Sequence, residues 1–189
     1  MLRVSGLRVF LVAVLMLAGV AVLSAAPILV PIDPRTTFLR TDVGDSYGVY
    51  FVDFNSLGIL GGDTLYLQTL GDFCMGNGAG CTEYAVPLVA AFTSTNTLGD
   101  RANLDRLSAI ASSAPGVVTA PTFYSALTTD IAQDFTVPLA SPLSVVVPTG
   151  ALYLAVGVTD SYYTDNSDPD GDLKLQLDTS QIPEPGTVL

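Results

Sequence analysis

The sequence predicts an all-β fold, an antiparallel β-sandwich of jelly-roll or galactose-binding-like type with one short helix in an insertion. Three observations support this prediction. Short runs rich in Val, Leu, Tyr and Phe recur along the chain, Gly, Pro, Asn and Asp separate them, and residues 63–70 alternate between apolar and polar side chains. Such spacing is typical of antiparallel sandwiches. A chain of 189 residues is long enough for one domain with a hydrophobic core.

The elements follow one another in chain order. Residues 27–46 are rich in proline and lack periodicity, which predicts an extended lead-in to a sandwich domain over 47–180. Strands are predicted at 47–54, 63–70, 84–92, 135–139, 143–147, 151–159 and 173–178. The stretch 93–134 is a long excursion, in which Leu104, Leu107 and Ile110 fit a short amphipathic helix over 97–113.

The N-terminus has the three parts of a secretory signal peptide over residues 1–26. Arg3 and Arg8 supply the basic start, the 15 residues 9–23 carry no charge, and small residues occupy 24–26. The alternative is an uncleaved membrane anchor, but this apolar block falls short of the roughly 20 residues that span a bilayer. We therefore expect export and cleavage after Ala26, which leaves Pro27 as the first residue.

The exported part of the chain is strongly acidic. It has five basic residues against 18 acidic ones, a formal charge of −13 once Arg3 and Arg8 are removed with the signal peptide. Nucleic acids and anionic membrane surfaces bind clusters of Lys and Arg, so neither is expected as a partner. The balance suits a soluble surface protein or one that binds cations.

Catalysis is not expected. The chain has no His, the usual general base and triad member, and its only Glu residues are Glu83 and Glu184. Asp and Glu residues could in principle form a glycosidase pair, but Glu184 lies in the C-terminal tail, and Asp53 and Asp63 are more simply interpreted as turn or edge residues. We therefore predict that the protein is not an enzyme, with an acidic-residue hydrolase as the least favoured alternative.

The two cysteines, Cys74 and Cys81, flank a glycine-rich stretch. In an exported protein this spacing predicts a disulfide that closes a hairpin tip or loop. The alternative is a pair of free thiols.

The C-terminal residues 181–189 contain Pro183, Glu184 and Pro185. This tripeptide, at the end of a chain with a signal peptide, resembles the PEP-CTERM sorting signal. The resemblance implies handling by an exosortase-type membrane enzyme and delivery to the cell surface or extracellular matrix. The apolar span and Arg cluster that complete such signals do not follow, so we expect a truncated or degenerate signal; a chance Pro-rich tail is the alternative. Membrane contact is expected only through the signal peptide and the missing span.

Residues 160–172, the acidic loop, hold five carboxylates and no Lys or Arg. Like charges at this density repel one another unless a cation or a wide solvated loop separates them. Calcium takes six to eight oxygen ligands of the kinds this loop supplies. The loop is not an EF-hand, because counting from Asn166 puts Gly171 at the sixth position but Leu177 where the bidentate Glu belongs. We therefore predict bound calcium, with a flexible polar hairpin tip as the alternative.

The segment 147–154, with Asp160 and residues 163–167 after it, resembles a recurring stretch of PEP-CTERM ectodomains. It is also similar to the PA-I-type galactophilic lectins, small β-sandwiches in which calcium bridges protein and sugar hydroxyls. The resemblance implies that Asp160, the Thr164 carbonyl, Asp165 and Asn166 bind calcium, with a further carbonyl near Phe73. Together with the carboxylates of the acidic loop, the predicted metal ligands are Asp160, Thr164, Asp165, Asn166, Asp168 and Asp170.

The function predicted from the sequence is binding outside the cytoplasmic membrane. We expect a calcium-stabilised, lectin-like sandwich that binds carbohydrate, such as an exopolysaccharide, or matrix components. Tyr162 and Tyr163 in the acidic loop, together with Phe73, favour a sugar, since aromatic faces stack on pyranose rings, although such residues also serve as core or rim packing. The alternative is a purely structural surface or matrix protein without a specific ligand.

Overall fold

A computed structural model describes residues 26–39, 47–76, 80–98, 107–112, 131, 133–160 and 162–179. Nearly all of the signal peptide, the centre of the predicted helix at 99–106 and the motif at residues 183–185 therefore lie outside the described residues.

Within these ranges the chain forms eleven strands and one short helix. The strands are β1 (Ile28–Pro31), β2 (Tyr50–Asp53), β3 (Thr64–Leu70), β4 (Phe73–Cys74), β5 (Glu83–Tyr84), β6 (Leu88–Thr93), β7 (Ala109–Ile110), β8 (Phe135–Val137), β9 (Leu143–Val146), β10 (Tyr153–Gly157) and β11 (Lys174–Asp178). The helix α1 spans Phe54–Leu57.

The strands form two main antiparallel sheets. The first has the order β1-β11-β3-β9, and the second has the order β2-β10-β6-β7 with β8 also paired to β6. A third, two-stranded sheet consists of β4 and β5. The predicted all-β antiparallel sandwich with one short helix is thus confirmed.

Burial along the strands explains the layering. In β3 and β11 alternate residues are buried, because one face of the first sheet packs on the core and the other faces solvent. All six residues of β6 are buried, which is typical of a strand covered on both faces. Phe92 of β6 lies between Phe54 and Phe135, with ring centroids 6.0 and 5.4 Å apart, so the second sheet encloses an aromatic centre.

Thr69 joins the two sheets. This fully buried residue of β3 donates its hydroxyl to the Val137 carbonyl at 2.7 Å and accepts from the Leu88 amide at 3.0 Å. Its amide also donates to the Pro138 carbonyl at 2.9 Å. A buried hydroxyl is tolerated only when it is hydrogen-bonded, and these bonds fix β3 against β8 and β6.

The helix of the described residues, α1, lies outside the range 97–113 in which the sequence predicts one. The Asp53 side chain accepts from the Asn55 amide as N-cap, and Gly58 at φ +69° ends the helix after one turn. In the insertion, Ala109 and Ile110 form β7 and pair with Thr93 and Phe92, so they extend the second sheet instead of a helix. No helix among the described residues is long and apolar enough to cross a membrane.

Two strand boundaries also differ from the prediction. The stretch 84–92 is divided into β5 and β6, because Pro87 lacks the amide needed for a continuous ladder. Part of the predicted lead-in, Ile28–Pro31, is a strand that pairs with β11, so the first sheet begins within 27–46.

The predicted disulfide is present between Cys74 and Cys81. It closes the turn between β4 and β5, where Cys74 pairs with Glu83. A disulfide indicates an oxidising environment such as that outside the cytoplasm.

We predict that the exported protein has no thiol that reacts with maleimide until a reductant is added. Because the closed loop is short, reduction should lower the free energy of unfolding by about 2–3 kcal/mol. Mass spectrometry after labelling and denaturant titration measure the two effects. Labelling of two thiols without reductant would contradict the disulfide.

Candidate functional site

Three carboxylates from two distant parts of the chain meet at one point. Glu83 in β5 and Asp168 and Asp170 in the acidic loop each place a carboxylate oxygen within 4.8 Å of the others. We call these three residues the acidic cluster. No other group of three acidic side chains in the described part of the chain converges in this way.

A short backbone contact produces the convergence. Cys74 and Ser167 form an antiparallel bridge, in which the Cys74 amide donates to the Ser167 carbonyl at 2.8 Å and the Ser167 amide to the Cys74 carbonyl at 3.2 Å. Since Cys74 also pairs with Glu83 on its other side, Ser167, Cys74 and Glu83 lie in one row across β4. Glu83 therefore faces the carboxylates of the acidic loop.

Asp168 shapes the loop that carries it. Its Oδ1 accepts from the Gly171 and Asp172 amides at 3.0 and 3.3 Å, and its Oδ2 accepts from the Leu173 amide at 3.2 Å. A carboxylate has about four lone-pair positions, so these bonds leave capacity for a further ligand. Asp170 is exposed, and its Oδ1 accepts from the Asp172 amide at 3.3 Å.

A second acidic pair lies next to the cluster. The Oδ1 atom of Asp172 accepts from the Asp72 amide at 2.9 Å, which connects the turn after β3 to the acidic loop. Gly71 makes this approach possible: it has φ +78°, and a Cβ there would overlap the carbonyl and carboxylate oxygens of Asp172.

Among the described residues, no positively charged side chain forms an ion pair with these carboxylates. Between described residues the only ion pair joins Arg35 and Asp33. Lys174 directs its Nζ to the Gly171 and Asp172 carbonyls at 3.2 and 3.5 Å. Within the described part of the chain, the cluster thus has an excess of negative charge.

Burial and repulsion both act on Glu83. Its Oε1 is buried and has no hydrogen-bond partner. Burial raises the pKa of Glu83, and the charges of Asp170, Asp72, Asp168 and Asp172 raise it further. The pKa of Asp72 is also raised, first by burial and then by Asp172, Asp170 and Asp168.

The oxygen donors suit a hard cation. The cluster contains only carboxylates, both cysteines are in the disulfide, and the sequence has no His. Zinc and copper favour nitrogen and sulfur, whereas Ca²⁺ and Mg²⁺ favour oxygen. The unpartnered Glu83 Oε1 is an acceptor that such an ion would satisfy.

The predicted ligands divide into two groups. Asp168 and Asp170 belong to the acidic cluster, whereas Asp160 and Asp165 do not. Asp160 is buried, and its amide donates to the Tyr163 hydroxyl at 3.4 Å; Thr164 is half-buried. Asn166 is buried and donates its Nδ2 to the Pro34 carbonyl at 3.1 Å.

The sequence analysis did not identify Glu83 as a member of the acidic cluster. The available signal was its rarity and position, since it is the only Glu before the C-terminal tail and follows Cys81 by two residues. Comparisons of the chain with protein-family models, curated proteins and solved structures give no match.

We predict that Gly71→Ala destabilises the fold more than Gly171→Ala does. Gly171 has a similar φ of +73° but no atom within 4 Å of an added Cβ. Gly171→Ala therefore measures only the cost of a left-handed backbone conformation for alanine, about 1–2 kcal/mol. The overlap with Asp172 should add at least about 1 kcal/mol for Gly71→Ala. Denaturant titration of the two variants measures the difference, and equal losses would refute the close approach.

We also predict a pH dependence in metal-free protein. A carboxyl whose folded pKa is raised contributes stability below its unfolded pKa and loses it as the pH rises through the folded value. In EDTA, wild type should therefore lose stability relative to Glu83→Gln as the pH rises from below 4.5, the ordinary pKa of Glu, to neutral. Denaturant titrations across this range test it. A difference that does not change with pH would contradict the pKa shift.

Proposed function

We propose that this chain is an exported cell-surface or matrix protein whose β-sandwich binds Ca²⁺ at the acidic cluster. We further propose that its role is to bind carbohydrate or matrix components, without catalysis. The observation that carries the calcium proposal is the convergence of Glu83, Asp168 and Asp170 with no cationic partner among the described residues.

Calcium is favoured over magnesium by the type and number of donors. Ca²⁺ accepts six to eight oxygen ligands in flexible geometry, whereas Mg²⁺ retains several waters in a strict octahedron. Besides the three carboxylates of the cluster, Asp72 and Asp172 lie close enough to raise the pKa of Glu83. Waters and loop carbonyls would complete the coordination.

The bound ion would have a structural consequence. It would join the β4–β5 hairpin to the acidic loop, and it would remove the repulsion that raises the pKa of Glu83 and Asp72. The loop would then present a fixed surface, which a binding protein needs because ordering a loop at the moment of binding lowers affinity.

The location outside the cytoplasmic membrane rests on three features. The signal peptide over 1–26 and the tripeptide at 183–185 are sequence features, and the Cys74–Cys81 disulfide suits an oxidising compartment. An exosortase-type sorting enzyme is the partner that the tripeptide favours.

Calcium should raise the melting temperature of the exported protein. At free calcium 100 times the dissociation constant, binding one ion adds about 2.7 kcal/mol, which corresponds to a shift of a few degrees in a domain of this size. Glu83→Gln and Asp170→Asn should each reduce the shift, because each removes one carboxylate ligand. Differential scanning calorimetry in millimolar calcium and in EDTA measures it.

Two further variants make the experiment specific. Asp53→Asn is the control: it removes one charge outside the cluster and retains a good N-cap, so the calcium shift should not change. Asp160→Asn distinguishes the two possible sets of calcium ligands, because the set implied by the lectin resemblance includes Asp160 and the acidic cluster does not. Identical melting temperatures of the wild type in calcium and in EDTA would exclude calcium binding.

A further inference from the structure

A cleft adjoins the acidic cluster. It lies between residues 31–35, which end β1 and turn away from it, and residues 166–168 and Gly171 of the acidic loop, with Leu173 and with Tyr50 of β2 alongside. Its volume is about 530 Å³, within the range of about 300–1,000 Å³ that small-molecule sites occupy. Asp168 lines the cleft and is also a member of the acidic cluster.

Asn166 lines this cleft and has a buried acceptor that is not used. The residue is only 3% exposed, and its Oδ1 has no hydrogen-bond partner. The orientation of the amide is determined, because Nδ2 donates to the Pro34 carbonyl at 3.1 Å. A buried acceptor without a partner is costly, so the site favours a ligand that brings a donor.

Arg35 also lines this cleft, and its guanidinium has donors that are not used. Its Nε and Nη2 donate to the Asp33 carboxylate at 2.8 and 2.6 Å, and its Nη1 donates to the Tyr47 hydroxyl at 2.9 Å. The guanidinium carbon lies 4.3 Å from the Tyr47 ring centroid. A guanidinium has five N–H groups, so two have no partner among the described residues. Asp33 balances its charge.

We propose that this cleft binds a neutral, polyhydroxylated ligand, a glycan, through Asn166 Oδ1 and the remaining N–H groups of Arg35. A hydroxyl both donates and accepts, and therefore matches both groups. An ammonium ion would satisfy Asn166 alone, whereas an anion would contact Arg35 but be repelled by Asp168. The inference rests on the carbohydrate-binding part of the proposed function and assigns it a location.

The experiment uses the exported protein on an array of neutral and uronic-acid-containing glycans, followed by titration calorimetry with the neutral glycan that binds best. Asn166→Ala removes the acceptor and Arg35→Met removes the donors, and each should weaken binding about tenfold, the effect of one hydrogen bond. Asn55→Ala, an exposed change in α1 away from the cleft lining, should bind as wild type does. Thermal melts show whether each variant is folded. If Asn166→Ala does not fold, the binding measured with Arg35→Met tests the proposal.

Three results would overturn the proposal: no glycan binds wild type, only uronic-acid-containing glycans bind, or the two cleft variants bind as tightly as wild type. Calcium-dependent melting of the same samples tests the calcium proposal independently of the glycan proposal. If calcium raises the melting temperature but no glycan binds, only the glycan proposal is refuted. If neutral glycans bind but calcium does not change the melting temperature, only the calcium proposal is refuted.

Discussion

The backbone bridge between Cys74 and Ser167 is the contact on which the site depends. Carboxylates of like charge do not attract one another, so the meeting of Glu83 with Asp168 and Asp170 requires a force from elsewhere. Two backbone hydrogen bonds supply it, each with a net contribution of about 1 kcal/mol. The disulfide in the same hairpin limits the alternatives open to the β4–β5 turn, so the bridge holds a chain segment that is already restrained.

Much of the fold was readable from periodicity, and the exceptions have identifiable causes. The alternation in β3 and the apolar run of β10 are local signals, and both strands lie within their predicted ranges. Ile110 also has helical spacing to Leu107, but pairing with Phe92 of β6 places it in a strand; tertiary contacts override a weak local preference. The strand at Ile28–Pro31 has only four residues, too few to show alternation between proline residues.

The site was readable only in part. Asp168 and Asp170 stand out because charges of one sign are concentrated in a few residues of sequence. Glu83 lies 85 residues before Asp168 and is an isolated acid in the sequence, and only the pairing of β4 with β5 and the bridge to Ser167 brings it to the loop. The unpartnered oxygen of Asn166 is likewise a property of packing, which no local pattern reveals.

Both outer strands of the first sheet are short and bounded by proline. β1 lies between Pro27 and its own last residue, Pro31, and β9 between Pro142 and the nearby Pro148. An open edge presents unpaired amides and carbonyls that can recruit another chain, and short strands with proline at their ends limit the number of such groups. This sheet is therefore poorly suited to grow by edge-to-edge addition of further copies. A protein crowded at a surface, where local concentrations are high, would benefit from this resistance to fibrous aggregation.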